Sequence, residues 1–310
     1  AASREAGTRL PSIAVLPFRD LSANHDQEHL ADGIAEELLT ALSRMPGLRV
    51  AGRTSSFAFK SRDLPLDAIA RELGVSHVLE GSVRFSGQQL RVTAQLVNAA
   101  DGFQRWSQEF DGAVTDIFAV QDQISAAVAE GLKLHLGAGG ASLQSVTETL
   151  NLGAYDQYLL GRYHLARRTS ESLCAALEHF RAAIEQDPAY SAAYSALATT
   201  LAISQYYLPT EAPSAIADEA KQAAQQALQL NPGNSEAWAA LGTVYLVFDR
   251  DWSGALESLQ NAVKLSPNDA GIINLYGDYF YLIGDYTNAL LWESRAAELE
   301  PLSAVHQHEL

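Results

Sequence analysis

His25 and His29 stand four residues apart with Asp26 and Glu28 between them, a spacing that on a helix would put two imidazoles on one face as metal ligands. The order is not His-Glu-x-x-His, and residues 22–27 read as a solvated loop running into a helix, so both are expected to be exposed polar side chains. His306 and His308 lie at the chain end, where a disordered tail is the expectation. Gly137-Ala138-Gly139-Gly140 superficially suggests a phosphate loop, but it follows a helix pattern and lacks a Lys, so it reads as linker. GxxxxGK[ST], GxGxxG after a strand and GxSxG are all absent. Arg49, Arg53, Lys60, Arg84, Arg91 and Arg105 are spread over the sheet domain and could converge on an anionic ligand, but strand alternation points such residues outward, so they read as separate solvated positions with a few surface ion pairs. Trp106 and Phe110 alternate with polar residues as core aromatics do, and Cys174 in an Ala/Leu-rich helix reads as inert filler. One cysteine excludes an internal disulfide and a zinc site built from several thiolates. The expectation is a chain with no catalytic residue, metal or cofactor.

Elements that could position a binding site are plainer. The chain has 310 residues and is 47% hydrophobic, enough for two packed domains. Residues 12–18 form a continuous apolar run, a strand buried on both faces. Leu30, Ile34, Leu38 and Leu42 make one helix stripe over 28–44, ended by Pro46-Gly47. A second strand is predicted over 48–53 and a second helix over 65–73, with Gly74 in the stop position. Residues 78–85 and 90–97 flank a Ser86-Gly87 turn as a hairpin, a third strand covers 104–110, and Ile117, Val120, Ile124 and Val128 mark a helix opened by Thr115. The predicted order is β-α-β-α-β-β-β-α, a mixed sheet with helices packed on it. After the Gly/Ser-rich stretch within 137–150 the strand patterns stop, which places a linker there between a domain at 11–136 and a second at 151–310.

Residues 1–137 carry 13 Lys and Arg against 17 Asp and Glu, and residues 138–310 carry 8 against 20, so the net charge of −16 divides into −4 and −12. Such a surface repels phosphate backbones and anionic lipid, which argues against direct nucleic-acid contact and favours a basic or neutral polypeptide partner. No segment approaches the roughly 18 uninterrupted apolar residues of a membrane span. The chain begins without Met and stops inside another helix pattern, so it is expected to be part of a longer protein.

Asp187-Pro188, Asn231-Pro232, Ser266-Pro267 and Glu300-Pro301 recur with their prolines 44, 35 and 34 apart. Before each lies a helix with paired alanines seven apart: Ala176/Ala183, Ala220/Ala227, Ala255/Ala262 and Ala289/Ala296. Earlier in each unit stand Leu160-Gly161, Leu197-Ala198, Leu241-Gly242 and Tyr276-Gly277, small enough for two helices to approach closely. This pattern resembles the tetratricopeptide repeat, most fully at Trp238, Leu241-Gly242, Tyr245, Ala255, Leu259, Ala262 and Pro267. Four full units and the start of a fifth are expected, with insertions near residues 167–172 and 206–214. The fold class is thus an α/β mixed-sheet domain followed by an all-α tetratricopeptide solenoid.

The first domain carries its own resemblance. PSIAVLPFRDLS (11–22), ADGIAEELLTALSRMPGLRVAGRTSSFAFK (31–60), ARELGVSHVLEGSVRFSGQQLRVTAQLVNAADG (70–102) and WSQEFDGAVTDIFAVQDQI (106–124) resemble the TolB-N-terminal-like module, related to the flagellar FlgO-type domain. That resemblance implies a bacterial signalling protein whose effector precedes these residues: a winged-helix DNA-binding domain, a class III nucleotide cyclase or a kinase. It leaves the compartment open, periplasmic behind a membrane helix and otherwise cytoplasmic.

In tetratricopeptide stacks the inner helices line a concave groove. Applying that geometry to this frame puts Tyr155, Tyr158, Arg162, Ser195, Thr199, Glu236, Thr243, Asn274, Asp278 and Tyr281 on the wall. Aromatic anchors among hydrogen-bonding groups suit a peptide. The functional expectation is a non-catalytic interaction and sensory region binding a protein or peptide, with a homo-oligomer possible. The alternatives are the regulatory part of an adenylate or guanylate cyclase and a FlgO-like envelope structural protein.

Overall fold

The computed structural model describes residues 11–136, 149–208 and 213–303, apart from 46, 61 and 63. Most of the expected linker, the Gly137 loop, His306, His308 and the start of a fifth repeat lie outside the described residues.

The α/β part forms one sheet in the order β3-β1-β4-β5-β6. β1 (Ser12–Val15) lies parallel between β3 (Arg49–Val50) and β4 (His77–Ser86), and β2 (Arg19–Asp20) runs parallel to β4 beyond the end of β1. β4, β5 (Gln89–Asn98) and β6 (Gln104–Ala113) form an antiparallel meander with a bulge at Leu96/Val97. The period of two along β1 divides the core: Ile13 and Val15 pack with α1 (Glu28–Ser43) and α4 (Ile117–Leu136), while Ala14 and Leu16 pack with Ile69, Ala70 and Leu73 of α3 (Leu66–Leu73) on the other face. The continuous apolar run of 12–18 is explained by this placement between two covered faces.

The second strand is shorter than its sequence pattern predicted. It stops at Val50 because Gly52 donates its N–H to Leu299 O in the last repeat at 2.8 Å, and a short helix, α2 (Arg53–Phe57), begins there. That correction marks where the two parts meet.

The helical part stacks four hairpins: α5 (Leu152–Leu165) with α6 (Ser170–Gln186), α7 (Ser191–Ser204) with α8 (Pro213–Leu230), α9 (Ser235–Val244) with α10 (Trp252–Leu265), and α11 (Ala270–Leu282) with α12 (Tyr286–Leu299). All eight paired alanines are buried. A Cβ at Gly161 would meet the Phe180 ring at 2.5 Å, one at Gly242 would meet Leu259 at 2.7 Å, and one at Gly277 would meet Glu293 at 2.1 Å, so the small residues do set the hairpin spacing. The third unit ends its first helix in a π-turn, Tyr245–Asp249, closed by Arg250 at φ 56°.

Candidate functional site

The residues that the repeat frame put on the groove wall lie on the inner helices α5, α7, α9 and α11, and the α/β domain lies against some of them. α1 crosses α5 where Gly33 leaves room for Leu159: a Cβ there would stand 2.5 Å from the leucine side chain. Ala154, Tyr155, Leu159, Tyr190 and Ala193 of the repeats share one buried cluster with Leu30, Ile34, Leu38 and Phe118 of the α/β domain.

Charge organises this contact. Arg162 Nη2 reaches Glu36 Oε2 of α1 at 3.1 Å, and its Nη1 reaches Glu236 Oε1 of α9 at 2.8 Å. Arg53 Nε donates to the other oxygen of Glu36 at 2.5 Å, and Ser195 Oγ donates to Glu236 Oε2 at 3.4 Å. The two guanidiniums outweigh the cost of burying Glu36 and hold its carboxyl below the usual range. Its neighbour Glu37 has no such cation in contact. Burial dominates there, with Glu36 adding repulsion against a hydrogen bond from the Tyr155 hydroxyl, and pushes Glu37 up to about 8. Tyr155, only 2% exposed, also accepts from Gln121 Nε2 and meets Phe118 edge-on at 5.0 Å. Around the rim, His29 Nε2 donates to Asp156 at 2.8 Å, and Lys60 joins Glu28 at 2.8 Å and Asp32. Asn268 Nδ2 donates to the carbonyls of Ser43 and Met45 at the C-terminus of α1, and Thr54 N donates to Glu300 Oε1 at 2.8 Å.

The predicted wall residues therefore divide. Tyr155, Tyr158, Arg162, Ser195 and Glu236 form one continuous cluster around α1. Thr199 is half-buried, Thr243 is buried with its hydroxyl on Ala239 O at 2.9 Å, Asn274 donates to Asp278 at 3.2 Å, and Tyr281 is exposed at the far end. Sequence reasoning missed the groups that come to meet the wall, Glu36, Glu37, Arg53 and Asn268, because each reads locally as an ordinary helix or loop residue. The six cations of the sheet domain do not converge: Arg53 and Lys60 turn to α1, Arg91 pairs with Asp111 and Arg105 with Asp101.

A second cluster tests whether chemistry resides elsewhere. Ser76 Oγ lies 3.0 Å from His77 Nδ1, and Asn98 Nδ2 lies 3.2 Å from His77 Nε2, beside an open cleft lined by Asp67, Arg71 and Ala99. The Asn98 amide donates to Nε2, so the imidazole proton sits on Nδ1 and points at Ser76. His77 in that tautomer cannot take a proton from Ser76, whose own hydroxyl is committed to Ser12 O at 2.9 Å. This is a strand-end hydrogen-bond network. Among the described residues no group of three or more His, Cys, Asp or Glu could hold a metal ion, and no helix is long and apolar enough to cross a membrane.

Comparison with known proteins agrees with the helical half. Residues 245–304 match the tetratricopeptide-repeat family, and the C-terminal region is a tetratricopeptide-repeat structure. A Rhizobium meliloti (strain 1021) protein named "Putative adenylate cyclase 3" is 36% identical over 187 residues, 60% of this chain and 32% of that protein. Anaphase-promoting complex subunit 3 of Schizosaccharomyces pombe is 26% identical over 162 residues, 51% of this chain and 22% of its own length. The chain thus spans a third or less of these relatives. Among solved structures, TTC0263, a tetratricopeptide protein of Thermus thermophilus, matches 62% of this chain and 87% of its own at 17% identity and a TM-score of 0.43. YrrB, described as a tetratricopeptide protein with an unusual peptide-binding site, matches 50% and 73% at 22% identity and a TM-score of 0.34.

Proposed function

We propose that this chain is a non-catalytic interaction and sensory region of a bacterial signalling protein, whose repeats bind a protein or peptide on the wall from Tyr155 to Tyr281 and whose α/β domain, of the TolB-N-terminal-like kind, competes for part of that wall. The observation that carries this reading is Arg162, which holds Glu36 of α1 and Glu236 of the third repeat at once. A helix is already seated on the wall by carboxylate-to-arginine pairing, so a partner reaching Arg162 displaces the α/β domain, whereas one using Thr199, Asp278 and Tyr281 leaves it in place. The first route makes partner binding a report on the domain's position.

A second reading has its own support. The similarity to the Rhizobium meliloti protein favours a role as the regulatory part of a nucleotide cyclase, the catalytic domain being a separate region of the whole protein.

The test is a binding comparison between the parent, Glu36→Arg and the double variant Asp278→Ala/Tyr281→Ala, using partner recovered by cross-linking. Glu36→Arg, which opposes two guanidiniums, is expected to raise capture, and the double variant to lower it. Equal capture by all three sinks the groove assignment. Purified residues 1–310 are expected to turn over neither ATP nor GTP, and turnover abolished by one side-chain change would overturn the non-catalytic reading.

A further inference from the structure

α1 has two faces, and they meet different parts of the molecule. At 3.6 residues per turn, His29, Gly33 and Glu36 fall within about 60° of one another, while Leu30, Ile34 and Leu38 are centred about 130° round the helix and join the buried cluster of Ile13 and Val15 of β1. The first set faces the repeats. His29 Nε2 meets Asp156 Oδ1 at 2.8 Å, Gly33 makes room for Leu159, and Glu36 Oε2 meets Arg162 Nη2 at 3.1 Å. Asp156, Leu159 and Arg162 follow one another in three-residue steps along α5, so the two helices match position for position.

Each of the three contacts sets a condition on any helix that takes the place of α1. The side chains of Arg162 and Glu36 are only 20% and 9% exposed, so a helix covering that guanidinium without bringing a carboxylate would bury it with one partner where it now has two. At the middle position a Cβ would stand 2.5 and 2.7 Å from the Leu159 methyls and 3.1 Å from Cγ, the carbon that carries them. Leu159 is 3% exposed and its packed neighbours leave it little room to yield, which restricts this position to glycine. Asp156 is 44% exposed, so the donor that meets it adds little.

We propose that the partner which displaces the α/β domain is a helix built on the pattern of α1: a hydrogen-bond donor, a glycine four residues on and a carboxylate three further. The proposal rests on the reading that a partner reaches the wall at Arg162, and it gives that partner its chemistry. α1 is then a stand-in seated in the partner's place. Selectivity lies in the carboxylate and the glycine, and a segment with one acid and one donor is neutral enough to approach the acidic repeats.

The probe is a fluorophore-labelled synthetic peptide of residues 26–44, titrated by anisotropy against the 1–310 chain as the parent, as Glu36→Arg and as Gly33→Leu. Both changes are expected to unseat α1, seen as a larger radius of gyration in small-angle scattering with unchanged helical circular dichroism. The opened chains should bind the peptide, and peptides carrying Glu36→Lys or Gly33→Leu should bind at least about tenfold more weakly. A His29→Ala peptide should stay within about threefold of the parent peptide. The parent chain should rank the peptides in the same order at affinities at least about tenfold lower, because its own tethered α1 competes. Opened chains that ignore the peptide, or that bind all its versions alike, overturn the proposal. A parent chain that binds as tightly as the opened ones overturns it too, since the peptide then sits elsewhere, and so does a chain that neither change opens. If the peptide fails while Glu36→Arg still raises capture of the cross-linked partner, the groove reading survives without this pattern; if that gain is absent as well, both fall.

Discussion

Removing the guanidinium of Arg162 would leave Glu236 without its cation and Glu36 with Arg53 alone, at a site where Glu36 is buried. Breaking a buried pair from one side typically costs about 3–5 kcal/mol, because a charge is left uncompensated. The retained Arg53 reduces that, so Arg162→Met is expected to lower unfolding free energy by roughly 2–4 kcal/mol in urea titrations. The same change in a Glu36→Gln background should cost less, since the stranded charge is gone. Strictly additive losses would mean that the two side chains do not interact. The spacing to Gly161 singles out Arg162 in the sequence, and the structure places it between Glu36 and Glu236. Glu36 was not legible, because nothing near it in the sequence distinguishes a carboxylate facing water from one facing an arginine on another domain.

Six helices of the repeat half, α5, α6, α9, α10, α11 and α12, begin at a residue whose side chain caps them, and one of these residues does more than cap. Asn234 Oδ1 accepts from Ala237 N at 3.0 Å to start α9, while its Nδ2 donates to Ser191 Oγ at 2.9 Å and Ser195 Oγ at 3.3 Å in the preceding hairpin. Losing an ordinary cap costs about 1 kcal/mol. Asn234 is buried, so Asn234→Ala also loses the two hydrogen bonds to Ser191 and Ser195, whose hydroxyls keep their own bonds to the Ala227 and Ala192 carbonyls, and a loss of roughly 2–3 kcal/mol is expected. Asp251→Ala removes an exposed cap on Gly254 N at 3.0 Å and should cost about half as much or less. Equal losses from the two would show that the link between hairpins contributes nothing. The helices of the stack, the long hairpin of β4 and β5 and the sheet faces followed from periods of 3.6 and 2. β2, α2 and the π-turn did not, being two to five residues long, shorter than any period can reveal. The truncated β3 was invisible for a different reason: its end is set by Leu299, a residue of the last repeat.

At the scale of the whole molecule the joint between the domains collects carboxyls whose pKa values are raised by burial. Burial raises Glu37, Asp32, Asp269 and Glu300, with Glu37 reaching about 8. The groups facing Glu37 are the Tyr155 hydroxyl from α5, Glu36 from its own helix, Asp122 from α4 and the more distant Arg162, so repulsion adds to desolvation. A carboxyl whose pKa is higher folded than unfolded binds its proton more tightly in the folded state. Between its ordinary value of 4.5 and about 8 the folded chain therefore holds protons the unfolded chain has released, and stability falls as pH rises through that window. The opposite contribution from Glu28 and Glu36, whose carboxyls are lowered, is lost only as pH drops below their ordinary range. Maximum stability is thus expected in mildly acidic solution, with Glu37 alone weakening the joint by on the order of 2–3 kcal/mol toward pH 8 after allowance for its partial exposure to solvent. Glu37→Gln keeps the shape and removes the titration. Thermal melts from pH 5 to about pH 9 should fall in the parent and run flatter in the variant, with the difference largest at the alkaline end. A parent whose melting temperature rises across that range, or a variant with an unaltered slope, would show that this carboxyl sits ionised in water and that the domains are not joined through it.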